Sequence, residues 1–266
     1  MLEISTKALH KEIEEARQRI AQDGPSWLFL EPLARCLHWL NDPQAAATFR
    51  EAAQRYPLRS DDPSAHIHVG NYYRLAGDRN TAYSYFERAY SLYHAEFQQH
   101  STSATIIARF INPCFLLGYD TEVTELATLL RELDPNPVVA HTIARLSHAR
   151  QTCNMKTARA VVDQLAESIR LNRSRITATG DITLWDWYEL ARDLMHALEQ
   201  GAKPESTAPR APLVIPPHIR RPFGDQEQYA AQLDGRNYRG AQLPGAQLAA
   251  VDLTRANLVE ANLHHA

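Results

Sequence analysis

The chain has few cysteines, no excess of charge of one sign and no long hydrophobic run. Its three cysteines, Cys36, Cys114 and Cys153, are widely spaced and form no CxxC pair, which disfavours both a disulfide framework and a structural zinc site. All three lie among apolar residues with helical spacing, so we expect them to be small buried hydrophobes. Lys and Arg number 28 against 31 Asp and Glu, which lacks the basic character of a phosphate-binding surface. We therefore predict no nucleic-acid partner.

The apolar stretches are too short to anchor the chain in a bilayer. Segments such as Trp27 to Leu30 fall far short of the roughly 20 residues that span a membrane. The first twenty residues mix acids and bases and contain no apolar core of a secretory signal. These features predict no membrane contact and a cytoplasmic location.

No cluster of residues identifies a reaction or a cofactor. The closest histidines, His94 and His100 near Glu96, do not have the HExxH spacing, and a helix surface explains them better than a metal. The sequence contains no GxGxxG, P-loop or GxSxG motif. We predict a protein that is not an enzyme and has no cofactor and no metal.

The composition divides the chain into three parts. Up to about residue 200, apolar residues recur every three or four positions and are interrupted at Gly, Pro, Asn and Asp, which is typical of successive helices. Residues 201–224 are rich in proline and predict an extended linker. A different repeat follows. The predicted domains are therefore 1–200, 201–224 and 225–266.

One helical repeat is clear, between Pro63 and Glu96. Its small and aromatic residues follow a recognisable spacing: Val69, Gly70, Tyr73, Gly77, Ala82, Phe86 and Ala89. This pattern resembles the tetratricopeptide repeat (TPR), a 34-residue unit of two helices. Gly70 and Ala82 would allow the helices to cross closely, Tyr73 and Phe86 would fill the space between units, and Gly77 would form the turn.

Weaker copies flank this unit, and helices are expected to cap both ends of the stack. The copies cover Leu33 to Pro57, Phe110 to Pro135, and Pro137 to Leu171. Residues 3–22 would cap one end through Ile4, Leu9, Ile13 and Ile20. Residues 182–199 would cap the other end through Leu184, Trp185, Tyr188, Leu190, Leu194 and Leu198, with Asp181 as the N-cap.

The C-terminal part has a five-residue repeat. From residue 231 it reads AQLDG RNYRG AQLPG AQLAA VDLTR ANLVE ANLHH, with Leu or Tyr in the middle of every unit. A period of five keeps these residues on one face of neither a helix nor a strand. The pattern resembles the pentapeptide-repeat family, which implies a right-handed quadrilateral β-helix with four pentapeptides per coil. Arg236 and Tyr238 depart from the family pattern, so the first coil is expected to be distorted.

Seven pentapeptides make fewer than two coils and leave an open strand edge. We expect one of two arrangements: the natural chain continues past Ala266, or a second copy or a partner covers the edge. The second arrangement predicts a dimer through the end of the β-helix.

The TPR resemblance implies a groove, lined by the first helix of each unit, that holds a peptide of a protein partner. The candidate groove residues are His68, Asn71, Arg74, Arg109, Asn112 and Phe115. Asn71 and Asn112 occupy matching positions and could both bond a peptide main chain, whereas the arginines would suit an acidic group. The alternative is that these are solvated polar positions on helices.

The fold expected from the sequence is mainly α, a TPR-like α-solenoid followed by a short β-helix. The leading functional hypothesis is a non-enzymatic adaptor that binds a protein or peptide. A second hypothesis is a DNA-mimicking regulator of type II topoisomerase, which the pentapeptide resemblance implies. Residues 231–266 contain three acids and three bases, which opposes this reading because mimicry needs a negative surface. A secreted effector or immunity protein is a third hypothesis.

Overall fold

The fold is that of a computed structural model, which describes residues 5–100, 103–133, 138–171 and 181–201. Within these ranges the chain is mainly helical. Its elements are α1 (Thr6–Asp23), α2 (Trp27–Trp39), α3 (Ala45–Arg55), α4 (Pro63–Leu75), α5 (Arg79–Gln99), α6 (Ala104–Leu116), α7 (Asp120–Leu133), α8 (Val138–Thr152), α9 (Met155–Leu171) and α10 (Leu184–Glu199). The predicted β-helix and nearly all of the predicted linker lie outside the described residues.

The helices pack in order along the chain. α2 packs on α3, α4 on α5, α6 on α7 and α8 on α9, and each pair also contacts the next. Because each pair is joined by a short turn, its helices run antiparallel. α1 packs on α2, and α10 packs on α9. The result is a solenoid-like stack of helical hairpins, as the sequence predicts.

Local chemistry explains where the helices stop and start. Gly77 and Gly118 have φ values of 79° and 80°, and Asn41 has 55°, the left-handed conformation that ends a helix and reverses the chain. Asp62 accepts hydrogen bonds from the backbone N–H groups that open α4, and Asp78 does the same for α5. Each hairpin is therefore defined by a local stop signal followed by an N-cap.

The close crossing predicted at Gly70 is confirmed. A Cβ placed on Gly70 would lie 2.6 Å from Cε1 of Phe86 and 3.1 Å from Cβ of Tyr85. Phe86 and Ala82 are both buried, and Tyr73 stacks on Tyr85 with ring centroids 5.7 Å apart. Tyr73 also packs against the core clusters on both sides of it, so it fills the space between hairpins.

Two sequence predictions are corrected by the structure. Asp181 is not the N-cap of α10; Thr183 is, and it forms a capping box with Asp186. Cys153 is exposed in a turn at φ 51°, whereas Cys36 and Cys114 are buried. Burial, together with Glu12 beside the thiol, raises the pKa of Cys36 to about 12, so this thiol stays protonated at neutral pH.

The N-terminal helix agrees with its predicted capping role. Leu9 and Ile13 are buried against α2, and Ile20 is half-buried. Ile4 lies outside the described residues. None of the helices in the described ranges combines the length and the apolar character that crossing a membrane requires.

Replacing Gly70 tests the close crossing. In Gly70→Ala the added methyl group would overlap the Phe86 ring, which is buried and cannot move freely. We expect a loss of about 2 kcal/mol in the free energy of unfolding, measured by chemical denaturation. The double variant Gly70→Ala/Phe86→Leu should be less unstable than the sum of its single changes. Purely additive effects would contradict the predicted contact.

Candidate partner-binding face

Helix α10 lies against the first helices of three successive hairpins. Asp186 of α10 bonds to Arg35 on α2 and to Asn71 on α4, and Trp187 packs on Phe115 of α6. We call the side chains of α2, α4 and α6 that contact α10 the inner face. The first helices of the hairpins therefore jointly hold one helix.

The carboxylate of Asp186 is fully surrounded by donors. Arg35 donates two hydrogen bonds to it, from Nη1 to Oδ1 at 2.7 Å and from Nη2 to Oδ2 at 3.2 Å. Asn71 donates from Nδ2 to Oδ1 at 2.9 Å, and the Thr183 hydroxyl donates to Oδ2 at 2.5 Å. A fork of two parallel bonds fixes the carboxylate plane as well as its position.

The electrostatics of this cluster favour the ionised carboxylate. Burial opposes the charge of Asp186, but the charge of Arg35 and the hydrogen bonds from Arg35 and Thr183 outweigh it, so the pKa of Asp186 lies well below its usual range. For Arg35, burial opposes the charge, and Asp186 and Glu31 together raise the pKa above its ordinary value. Both members of the pair are therefore charged at neutral pH.

Aromatic rings extend the contact beyond Asp186. Trp39 of α2 meets the edge of Trp185 at 5.3 Å and stacks with Tyr188 at 6.1 Å, measured between ring centroids. The Phe115 and Trp187 centroids are 5.1 Å apart. Such pairs stabilise by about 1 kcal/mol each beyond the area that they bury. The face thus combines a charged contact with aromatic packing.

A second carboxylate anchors the segment that enters α10. Asp181 accepts a hydrogen bond from the Ser64 hydroxyl at 2.6 Å and another from the Tyr93 hydroxyl. Burial, followed by the charge of Asp181, raises the pKa of Tyr93 far above its usual value. Because its carboxylate is engaged by α4 and α5, Asp181 cannot cap α10.

Three of the predicted groove residues lie at or directly behind the contact with α10. Asn71 binds Asp186, and Phe115 packs on Trp187. Arg74 donates from Nε to Oδ1 of Asn71 at 2.8 Å, which orients the Asn71 amide. Arg74 therefore supports the carboxylate contact through Asn71 rather than by touching Asp186.

The other three predicted residues are placed differently. Asn112 is completely buried, and neither its amide oxygen nor its amide nitrogen has a hydrogen-bond partner among the described residues. His68 is half-buried and its ring lies 5.6 Å from the ring of Tyr56. Arg109 is exposed and lines a polar cleft with Ser64, Tyr93 and Glu96. The surroundings of these three residues therefore differ from those of Asn71, Arg74 and Phe115.

Sequence reasoning missed Arg35 and Asp186, the central pair of the face. A signal for Arg35 does exist, because Arg35, Asn71 and Asn112 each lie four residues before the last residue of their own helix: Trp39, Leu75 and Leu116. Aligning the repeats on their helix ends would have placed Arg35 in register with the two asparagines. Asp186 has no such signal, since only its partners reveal its role.

In the part of the chain with described side chains, no group of three or more His, Cys, Asp or Glu residues is arranged to hold a metal ion.

Comparison with known proteins recognises the C-terminal part of the chain. The family model for pentapeptide repeats matches residues 230–266 in eight copies. This agrees with the five-residue repeat in the sequence and suggests a protein-interaction or regulator-type role. No curated protein and no solved structure matches the chain.

The Asp186→Asn substitution tests the charged contact. It would leave the Arg35 guanidinium buried without its main counter-charge, so we expect a loss of about 3 kcal/mol in the free energy of unfolding. Asp193→Asn is the matched control, because Asp193 is on the same helix, 73% exposed and 4.0 Å from Arg74. The control should change stability by less than about 0.5 kcal/mol. Equal effects of the two changes would contradict the assignment.

The same contact predicts a dependence on acid. Because the folded-state pKa of Asp186 is lowered from 3.8, its stabilising contribution is complete above the unfolded value and is lost as pH falls towards the folded one. The free-energy difference between the wild type and Asp186→Asn should therefore be constant above about pH 5 and shrink below about pH 4. Denaturation at several pH values measures it. A free-energy difference that stays constant down to the lowest pH at which the protein is folded would contradict the prediction.

Proposed function

We propose that this chain is a non-enzymatic adaptor whose inner face binds a helical segment of a protein partner. The observation that carries the proposal is the way Arg35 and Asn71, from two hairpins, jointly hold the carboxylate of one helix while Phe115 of a third packs on its aromatic neighbour. A surface that recognises an acid and an aromatic group in this geometry has the chemistry of a helix-binding site.

We further propose that the helical part is a TPR-type solenoid. The close crossing at Gly70, the turn at Gly77 and the repeated position of Arg35, Asn71 and Asn112 support it. Repeats of this type expose equivalent positions from successive units along one surface. The inner face is then the place where a partner meets several units at once.

The pentapeptide repeats at 230–266 supply a second surface in this proposal. They form a short right-handed quadrilateral β-helix, separated from the solenoid by the proline-rich segment 201–224. In this proposal the repeats dock a second copy or a protein partner. The balanced charge of residues 231–266, three acids and three bases, supports a protein partner over the mimicry of DNA.

Asn112 offers the sharpest test, because its buried amide lowers the stability of the fold and makes no hydrogen bond among the described residues. A buried amide with no partner costs about 1–3 kcal/mol, and an apolar residue of similar shape removes that cost. Proteins commonly retain such a cost where a binding surface needs it. Asn112 occupies the position of Asn71, which bonds a carboxylate, so we assign it to partner recognition.

We expect Asn112→Leu to unfold at a higher temperature than the wild type and yet to lose partner binding. The intact tagged wild-type and Asn112→Leu chains would each be used to capture partners from an extract of the source organism. Quantitative mass spectrometry would compare the amounts of partner that the two chains recover. Arg79→Ala, exposed at the start of α5, is the control and should recover partners like the wild type. Equal recovery by Asn112→Leu and the wild type would refute binding at the inner face.

A further inference from the structure

The interface between α10 and the inner face is incompletely matched. Three buried polar atoms of α10 and of a residue that contacts it have no hydrogen-bond partner among the described residues: Nη2 of Arg74, Nε1 of Trp187 and Oε2 of Glu189. Each has lost its hydration without gaining a protein partner, which disfavours the docked state. The carboxylate of Asp186, in contrast, accepts five hydrogen bonds. α10 thus combines a fully bonded carboxylate in its first turn with polar atoms that have no hydrogen-bond partner among the described residues.

Charge complementarity indicates what this face recognises. α10 contains four acidic residues and one arginine, a balance of 1 − 4 = −3 with His196 neutral. The inner face presents Arg35 and Arg74 to it, and His38 lies 3.3 Å from Glu189. An acidic amphipathic helix is therefore the ligand chemistry that fits.

Helix α10 is itself amphipathic, with one apolar and one polar side, as such a ligand must be. Trp187, Tyr188 and Leu194 are buried, and Arg192, Asp193 and His196 are exposed. Because α10 belongs to the same chain, it competes at a high effective concentration even though its fit is imperfect. A partner must therefore bind the face better than α10 does to displace it.

We propose that α10 is an intramolecular ligand that closes the inner face, and that the partner is an acidic amphipathic helix that takes its place. This rests on the proposed function, because it names the occupant and the regulation of the same face. The partner helix carries a carboxylate at the position of Asp186, an aromatic residue at that of Trp187, and further acid or amide groups that reach Arg74 and Asn112. Binding then needs the opening of α10 as its first step.

Hydrogen exchange on the intact wild-type chain tests the opening. Amides of α10 should exchange through local opening at least about 10-fold faster than the protected amides of α4, α5 and α6, because the proposed opening breaks the contacts of α10 with α9 and the inner face and leaves the packing of α4, α5 and α6 on one another in place. Mass spectrometry of peptic fragments measures the two sets in one experiment. Exchange of α10 and α4 amides through a single common opening would overturn the proposal and make α10 a permanent part of the core.

A peptide of residues 182–200, acetylated, amidated and fluorescently labelled, tests the ligand chemistry. Its binding to intact chains would be followed by fluorescence anisotropy. In the Asp186→Asn chain the contact between α10 and the inner face is weakened. This chain should therefore bind the peptide at least about 10-fold more tightly than the wild-type chain does. The Asp163→Asn chain, changed at an exposed acid of α9, should behave like the wild type, and a peptide carrying Asp186→Asn should bind neither. Absence of peptide binding to the Asp186→Asn chain, with its hairpins folded by circular dichroism, would overturn the proposal.

These outcomes are separable from those for the proposed function. The exchange measurement needs no variant and the peptide assay needs no natural partner, so either can fail while partner capture still depends on Asn112. Conversely, loss of the Asn112 effect in partner capture leaves the opening of α10 and its peptide binding unchanged. If Asp186→Asn does not fold, the exchange result on the unaltered chain decides.

Discussion

The rest of the structure depends on keeping the buried carboxylate of Asp186 ionised. Removing such a charge from solvent costs several kcal/mol unless donors replace its hydration. Arg35 supplies the counter-charge, Asn71 a further donor, and Thr183 closes the first turn of α10 around the same oxygen atoms. The contact therefore forms only when α2, α4 and α10 are all in place. It connects residues 151 positions apart in the chain, so the first hairpin and the last helix order each other.

The two halves of the α10 contact have different physical roles. The Asp186 cluster makes the face selective, because a helix without an acid at that point removes one of the two carboxylates that pair with Arg35, leaving only Glu31. Trp187 and Glu189 do not make the face selective in the same way, because Nε1 of Trp187 and Oε2 of Glu189 have no hydrogen-bond partner among the described residues. The inner face can therefore bind α10 through the Asp186 contact and still bind more tightly a partner helix that also pairs the remaining polar atoms. The adaptor function proposed for the chain requires this balance.

The pattern of successes and errors in the sequence predictions follows from the range of the interactions. The helices, the turn at Gly77 and the close approach at Gly70 depend on neighbours within one hairpin, and they were predictable. The capping role given to Asp181 was wrong, because Ser64 and Tyr93 compete for that side chain from another part of the chain. Cys153 was wrongly placed in the core, because a left-handed turn turns it outward. Arg35 was missed because the repeats were aligned on the wrong feature.

By itself the sequence determined the helical hairpins, the change of period after the proline-rich segment, and the pentapeptide repeats that the family comparison recognises. These properties follow from spacing, since side chains three, four or five residues apart meet through local geometry alone. Only the tertiary structure decided that α10 covers the inner face, that Arg35 and Asp186 form its centre, and that Asn112 is buried without a partner. No local rule brings α2 and α10 together, because their contact depends on how the stacked hairpins between them turn the chain.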